Sequence, residues 1–401
     1  MTTQQETITI ENQHTPPFFQ KLPIAIERGE GVSVWDQNGK HYLDFTAGWG
    51  VTSIGHANPV ITNALLEQSR KITQNPSSGL TYSPARAKLL QLLTTILPNN
   101  LTHIFFGSSG AEVNDAVMKL ARKITGRLDI VSTLKSFHGR TISTASATGQ
   151  TKHRERFNSL MPNYRFVPYD DLAAMDAVLD ENIAAVMLEP IQGEGGINVP
   201  SPGYLEGVSA LCRQRGALLI IDEIQTGFCR TGSMFAIDGQ HIVVDFLTLG
   251  KGIAGGFPFA AFAMSSDMAA RVEKGDHGGT YCGNPLGCAV AHAVISYLLE
   301  HDIAAHVAAL GEEILARLRG WQRRYPAIIT DARGKGLLLA LEIRDAETAS
   351  KIYTQALEDG VMLNLTQGNV IRIFPPLTIT KDVADEGLAI VEQAFAKTLQ
   401  G

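Results

Sequence analysis

The sequence predicts an α/β protein in which a mostly parallel sheet is sandwiched by helices and followed by a smaller α+β domain. From about residue 58, short apolar runs alternate with helix-like segments, the pattern of parallel strands covered on both faces by crossover helices. The tail from about residue 303 changes rhythm and reads helix, strand, helix, strand, helix. A chain of 401 residues, 44% hydrophobic and 18% charged, also suits two or three domains at roughly 100–200 residues each.

The segment up to about residue 25 is polar, contains Pro16, Pro17 and Pro23, and reads as an arm. Residues 31–45 read as a hairpin, with alternating runs on either side of Gln37-Asn38-Gly39, where Asn-Gly favours a tight primed turn. Residues 84–97 read as helix, and residues 101–106 as a short strand leading into Gly107-Ser108-Ser109-Gly110. Val113, Ala116, Val117, Leu120, Ala121 and Ile124 then recur at i, i+3, i+4, i+7, i+8 and i+11, the stripe of an amphipathic helix. Residues 128–132, 183–188, 217–221, 246–249 and 259–264 are apolar runs of strand length. After residues 284–299 comes the tail, whose strands fall at 336–343 and 370–374.

Composition narrows the function classes. A net charge of −6 provides no electrostatic reason to hold nucleic acid or an anionic membrane. The longest apolar stretches, residues 257–264 and 336–341, fall far short of the roughly 20 residues of a membrane helix. The first residues, Met-Thr-Thr-Gln-Gln-Glu, lack a basic and an apolar leader region, so the expectation is a soluble cytoplasmic protein. The four cysteines, at 212, 229, 282 and 288, form no CxxC pair and have no close histidine. Zinc, iron–sulfur and disulfide readings therefore give way to buried thiols that pack as small hydrophobes.

Open α/β sheets carry ligands at the C-terminal ends of their strands, and the chemistry-bearing residues lie there. Gly107–Gly110 stands between a strand and a helix, with free amides, two hydroxyls and the positive end of a helix dipole. It is either a phosphate cup or a plain glycine turn with a serine cap. Asp222-Glu223 ends the run 217–221, where an acid can ligate a metal, pair with a buried cation or form the solvated lip of the sheet. Lys251 follows the run 246–249 between two glycines; a desolvated lysine there has a lowered pKa and suits Schiff-base chemistry, while a solvated loop lysine would look the same. Gly250-Lys-Gly252-Ile-Ala-Gly255 also spells a dinucleotide fingerprint, but Gly256-Phe257-Pro258 breaks the helix that fingerprint requires. Glu189 to Glu194 ends another strand, and Phe137-His138-Gly139-Arg140 follows a fourth. Arg372, inside an apolar strand, needs an anionic partner: a structural carboxylate or a substrate one. A phosphate cup, a buried acid, a strand-end lysine, an aromatic-plus-arginine loop and a second arginine together fit pyridoxal phosphate, whose phosphate, ring nitrogen, aldehyde and ring face each need one of them.

These residues resemble those of the class III pyridoxal-phosphate aminotransferases of fold type I, in the acetylornithine, ornithine and 4-aminobutyrate group. The similarity runs from Gly31 nearly to the C-terminus. It includes Gly55-His56 with Pro59, Ser109-Gly-Ala-Glu112, Phe137-His-Gly-Arg140, Glu189-Pro-Ile-Gln-Gly-Glu194 and Asp222-Glu-Ile-Gln225-Thr-Gly227. It continues through Arg230-Thr-Gly232, Leu249-Gly-Lys251, Gly255-Gly-Phe-Pro258, Thr280-Tyr-Cys-Gly-Asn-Pro285 and Arg372 before Pro375-Pro376. The resemblance implies a large cofactor domain over 58–299 built on a seven-stranded sheet, with a small domain formed by 300–401 and an N-terminal part, 1–57. It implies that Lys251 binds the cofactor aldehyde and moves the proton, that Asp222 pairs with the ring nitrogen and that Gln225 bonds near the ring hydroxyl. Phe137 or His138 would stack on the ring, and Ser109, Gly110 and Ala111 would hold the phosphate. Thr280 would reach the phosphate from the other subunit of an obligate homodimer. Arg372 would clamp the α-carboxylate of glutamate and 2-oxoglutarate, Arg140 would meet the other carboxylate, and Glu194 would mask Arg372 when an ω-amino donor binds.

Trp49 departs from that pattern. Acetylornithine and aminobutyrate enzymes usually carry isoleucine at this donor-pocket position, and ornithine enzymes a tyrosine. A tryptophan can narrow the pocket, stack on a flatter donor, or only pack its wall. Residues 360–377 resemble acetylornithine enzymes, whereas 253–258 and Thr280-Tyr281 lean towards 4-aminobutyrate enzymes. The expectation is an acetylornithine-like ω-aminotransferase using 2-oxoglutarate. A 4-aminobutyrate or amine–pyruvate transaminase is the alternative, as is another reaction on the same scaffold, such as an aminomutase or a decarboxylase. Lys251 and Asp222 argue against a non-catalytic module.

Overall fold

Seven strands form the central sheet of the computed structural model, which describes residues 2–157 and 160–400. In chain order, an N-terminal group β1 (Ile26–Glu30), β2 (Ser33–Asp36) and β3 (His41–Asp44) precedes them. The seven are β4 (Leu101–Gly107), β5 (Asp129–Thr133), β6 (Tyr164–Val167), β7 (Ile183–Leu188), β8 (Leu218–Asp222), β9 (Phe246–Leu249) and β10 (Ala260–Ser265). Their order across the sheet is β4-β10-β9-β8-β7-β5-β6. Every pair from β9 to β6 is parallel, and β10 runs antiparallel to both its neighbours. The mostly parallel α/β architecture is thus the one the sequence predicts. β7, β8 and β9 are buried along their whole length, because helices cover both faces; hence they read as unbroken apolar runs.

β11 (Ile329–Lys335), β12 (Leu338–Ile343), β14 (Asn364–Thr366) and β15 (Val370–Ile373) make a second sheet of order β11-β12-β15-β14. β13 (Val361–Met362) instead joins the N-terminal sheet, pairing parallel with β3. The start and the tail of the chain are therefore hydrogen-bonded to each other, with Phe45 N donating to Met362 O at 2.9 Å.

Several elements differ from expectation. The N-terminal arm contains a helix, Gln4–His14, closed by a capping box between Thr3 and Glu6. It buries no residue, so no apolar stripe marks it. β1, β6 and β11 lie at sheet edges and carry charges such as Arg165, which bonds Asp129 and Asp180; charged edges lack the apolar signature of central strands. The hairpin over β2 and β3 forms, but its turn is not primed. Only Gly39 is left-handed (φ +82°), and Asp36 Oδ1 accepts from Asn38 and Lys40 amides at 3.0 and 2.9 Å, which organises a wider loop.

Cys212, Cys229 and Cys288 are buried, and burial pushes each thiol up to about 12. Among the described residues no single helix is long and apolar enough to cross a membrane.

Candidate active site

Parallel strands send their outgoing loops to one edge of the sheet, and the loops after β4, β5, β7, β8 and β9 meet there. β4 delivers Ser109, which caps helix Gly110–Thr125 by accepting from Glu112 N at 3.2 Å. Its O–H is left to donate, and the amides of Gly110 and Ala111 have no acceptor among the described residues. A helix N-terminus with open amides is an anion site. Gly110 lacks a Cβ because one would lie 2.8 Å from the Ile224 side chain.

Asp222 ends β8 and is 4% exposed. Its Oδ2 accepts from His138 Nδ1 and Asn114 Nδ2, both at 2.8 Å, and its Oδ1 from Ile224 N at 3.0 Å. His138 Nε2 lies 3.2 Å from Ser132 Oγ. Both ring nitrogens are thus engaged by protein; His138 and the half-buried Phe137 both line the cavity, and His138 also orients Asp222.

β9 delivers Lys251 through Gly250 into a single 3₁₀ turn, Lys251–Ala254. No helix follows, which removes the dinucleotide reading. Lys251 has φ +45°, a left-handed conformation costly for a residue with a Cβ and typical of functional sites. Burial pulls its amine below the usual lysine range, with Glu194 and Asp222 opposing.

Glu194 Oε1 accepts from Arg372 Nη1 at 2.7 Å and from Gln225 Nε2 at 3.3 Å. Burial alone would raise the Glu194 pKa, but Arg372 and then Lys251 outweigh it and hold the carboxyl below its usual range. Arg372 is fully buried, and its Nε also donates to Asn364 Oδ1 at 2.6 Å. The paired-carboxylate requirement read from its apolar strand is met within the chain, by the residue expected to mask it.

The cavity holds about 280 Å³ and is walled by Gly110, Ala111, Phe137, Arg140, Gln225 and Lys251, with Asp222 and Glu194 among its acids. Gln225 Oε1 is buried there with no partner among the described residues. Arg140 is exposed at the mouth, 5.7 Å from the Phe137 ring, with no carboxylate partner among the described residues. Trp49 is half exposed and outside the cavity wall; Phe19 of the arm lies 6.1 Å from it and 5.9 Å from the Arg140 guanidinium. Thr280 is exposed and does not reach this cavity; its carbonyl is held by Gln74 and Ser78 instead.

Asn114, Glu189 and Ile224 also line the cavity; the sequence motifs include Glu189 and Ile224 without giving either a role, and they leave out Asn114. Asn114 carried a readable signal, a polar residue on the apolar side of its helix that demands a partner. Glu189 accepts from the Phe137 and Gly193 amides at 2.9 and 3.0 Å, and burial pushes its carboxyl up to about 7.

Residues 16–395 match the family model described as aminotransferase class-III. An acetylornithine aminotransferase of Methanothermobacter thermautotrophicus is 42% identical over 388 residues, 96% of this chain and 97% of that one. The ornithine aminotransferase structure from Toxoplasma gondii ME49 superposes with a TM-score of 0.94 at 31% identity, covering 100% of this chain and 96% of that one. A thermostable (S)-enantioselective omega-transaminase from Thermomicrobium roseum superposes with a TM-score of 0.92 at 30% identity, with both chains fully covered (100%).

Proposed function

The chain belongs to the class-III aminotransferases, and from that premise we propose that it moves an amino group from an N-acetylornithine-like ω-amino donor to 2-oxoglutarate, giving an aldehyde and glutamate. The observation that carries this reading is the division of the two arginines: Arg372 is masked by Glu194 at 2.7 Å, while Arg140 is open at the mouth. A free guanidinium recruits a carboxylate, and an ion pair masks it. An ω-donor then sets its carboxylate on Arg140 and its amine towards Lys251. Glutamate requires Glu194 to leave Arg372, which then takes the α-carboxylate.

The pocket fits pyridoxal phosphate. Ser109, Gly110 and Ala111 would hold the phosphate, Asp222 the ring nitrogen, Lys251 the aldehyde, and the orphaned Gln225 Oε1 the ring hydroxyl. Phe137 would cover a ring face. When bound, this cofactor supplies an aldehyde that carries the amino group and a ring that draws electrons from the substrate carbon. Asp222, fixed by His138 and Asn114, would hold the ring nitrogen and favour its protonated form. Lys251, whose amine burial pulls below the usual lysine range, would take the substrate proton at Nζ and return it.

In this reading 58–299 is the cofactor domain, and 1–57 with 300–401 form the small domain that contributes Trp49 and Arg372. The active unit is a homodimer in which Thr280 serves the neighbouring site. Support comes from exposed Leu80 (89%), Tyr82 (100%) and Tyr281 (65%), which flank the Thr280 loop and want a covering surface. A second reading, with 4-aminobutyrate or an aryl amine as donor, is favoured by the Trp49–Phe19 pair, which presents flat aromatic surface near Arg140.

Single-turnover absorbance of the holoenzyme with N-acetylornithine, ornithine, 4-aminobutyrate and a simple aryl amine separates the two. N-acetylornithine is expected to react fastest, and Glu194→Ala to slow it about tenfold while leaving the glutamate half-reaction within about twofold. Fastest turnover of the aryl amine transfers the assignment to the second reading, and equal losses in Glu194→Ala remove the masking role.

A further inference from the structure

Arg230 is 2% exposed and has no carboxylate partner among the described residues. Keeping such a charge in a core is costly unless pairing or hydrogen bonds offset its desolvation. Its Nη1 donates to Leu337 O at 3.0 Å and Pro375 O at 2.7 Å, and its own carbonyl accepts from Leu337 N at 3.0 Å. Gly336 allows this approach: it has φ +57°, and a Cβ on it would lie 2.7 Å from the Arg230 carbonyl oxygen. Nη2 is buried without a hydrogen-bond partner among the described residues, so two carbonyls and a ring hold the guanidinium directly, with the Asp44 carboxylate acting on it from beyond ion-pair distance.

That ring is Phe374. The Arg230 guanidinium carbon lies 4.4 Å from its centroid, and the Arg372 guanidinium carbon 5.6 Å from the same centroid, both within cation–π range. Phe374 N donates to Phe45 O at 3.0 Å, and its ring abuts Gly50, where a Cβ would come within 2.6 Å of Cζ. One ring therefore touches both arginines and the turn that bears Trp49. When Glu194 withdraws, Asn364 is the side chain left bonded to Arg372, and the placement of its guanidinium then depends on Phe374 and the chain that follows it.

We propose that Arg230 is a positioning residue for α-carboxylate binding: through Phe374 and Pro375 it sets Arg372, and so tunes the enzyme towards glutamate and 2-oxoglutarate without touching either. This rests on the reading of Arg372 as the α-carboxylate clamp. Lysine at 230 keeps the charge but lacks the planar fork that spans two carbonyls, and glutamine keeps a donor without the charge.

The test compares Arg230→Lys and Arg230→Gln holoenzymes, with Arg372→Ala as reference, in the glutamate and 4-aminobutyrate half-reactions. Both Arg230 variants are expected to raise KM for glutamate and 2-oxoglutarate about tenfold, with the 4-aminobutyrate half-reaction within about twofold. If Arg372→Ala leaves glutamate binding intact, the clamp reading itself fails. If Arg372→Ala loses glutamate but the Arg230 variants change both donors equally, or neither, the positioning role is overturned while the clamp stands. Failure of both Arg230 variants to fold also overturns it, since that is the behaviour of a purely structural residue.

Discussion

Asp222 and Glu223 are neighbours on one strand end, yet only Asp222 lines the cavity. Successive strand residues point to opposite faces, so Glu223 turns away, fully buried. Its Oε1 accepts from Ile237 N at 3.0 Å, and its Oε2 from the Thr226 hydroxyl. Burial pushes its carboxyl from the ordinary 4.5 up to about 8. The unfolded chain releases this proton near the ordinary value, while the folded chain keeps it. The contribution of Glu223 to stability is therefore full below about 4.5 and lost as pH rises through about 8. In Glu223→Gln the amide oxygen still accepts from Ile237 and the NH₂ donates to Thr226. Thermal unfolding across that window is expected to decline less steeply with pH in this variant, Glu189, Asp238 and Asp245 sharing what decline is left; an unchanged slope refutes the assignment.

At the scale of elements, the turn over residues 47–50 is the most unusual piece of backbone near the site. Ala47, Gly48, Trp49 and Gly50 have φ of +43°, +56°, +61° and +86°, a left-handed turn in which Ala47 and Trp49 each cost roughly 1–2 kcal/mol. Asp44 holds it: Oδ1 accepts from Thr46 N, Thr46 Oγ1 and Ala47 N at 2.8, 2.6 and 3.1 Å, and Oδ2 lies 2.8 Å from His56 Nε2. Asp44→Ala is expected to destabilise the protein by about 2–4 kcal/mol in urea unfolding, whereas Asp44→Asn retains most of the stability. Equal losses in the two variants would mean that the acceptor oxygen is not what holds the turn. None of this conformation is visible in Thr46-Ala-Gly-Trp-Gly50 as a string, because a left-handed alanine or tryptophan violates local preference and survives only where tertiary bonds impose it.

At the scale of the molecule, the exposed Leu80, Tyr82 and Tyr281 lie beside a loop whose Thr280 carbonyl is tied to Gln74 and Ser78 at 2.7 and 2.5 Å. That surface would sit between two copies of the chain. Leu80→Asp with Tyr82→Asp is expected to give a monomer by sedimentation and to weaken cofactor retention on dialysis about tenfold or more, since each site would lack its neighbour's Thr280. A double variant that remains dimeric withdraws this interface; a monomer that keeps its cofactor withdraws the role of Thr280.

The central strands, the helix after the phosphate cup and the positions of Lys251, Asp222, Glu194 and Arg372 were legible in the sequence. Burial on both faces writes an apolar run, and strand-end motifs fall at fixed places relative to those runs. The edge strands β1, β6 and β11 and the helix Gln4–His14 were not legible, because they bury little and so carry no periodic pattern. Other features came only from the fold: the bond of His138 to Asp222, the left-handed turn under Trp49 and the contact of Arg230 with Phe374. Each depends on which groups more than a few residues apart come within hydrogen-bond or packing distance. That is set by the closing of the sheets on one another and not by any local preference of the chain.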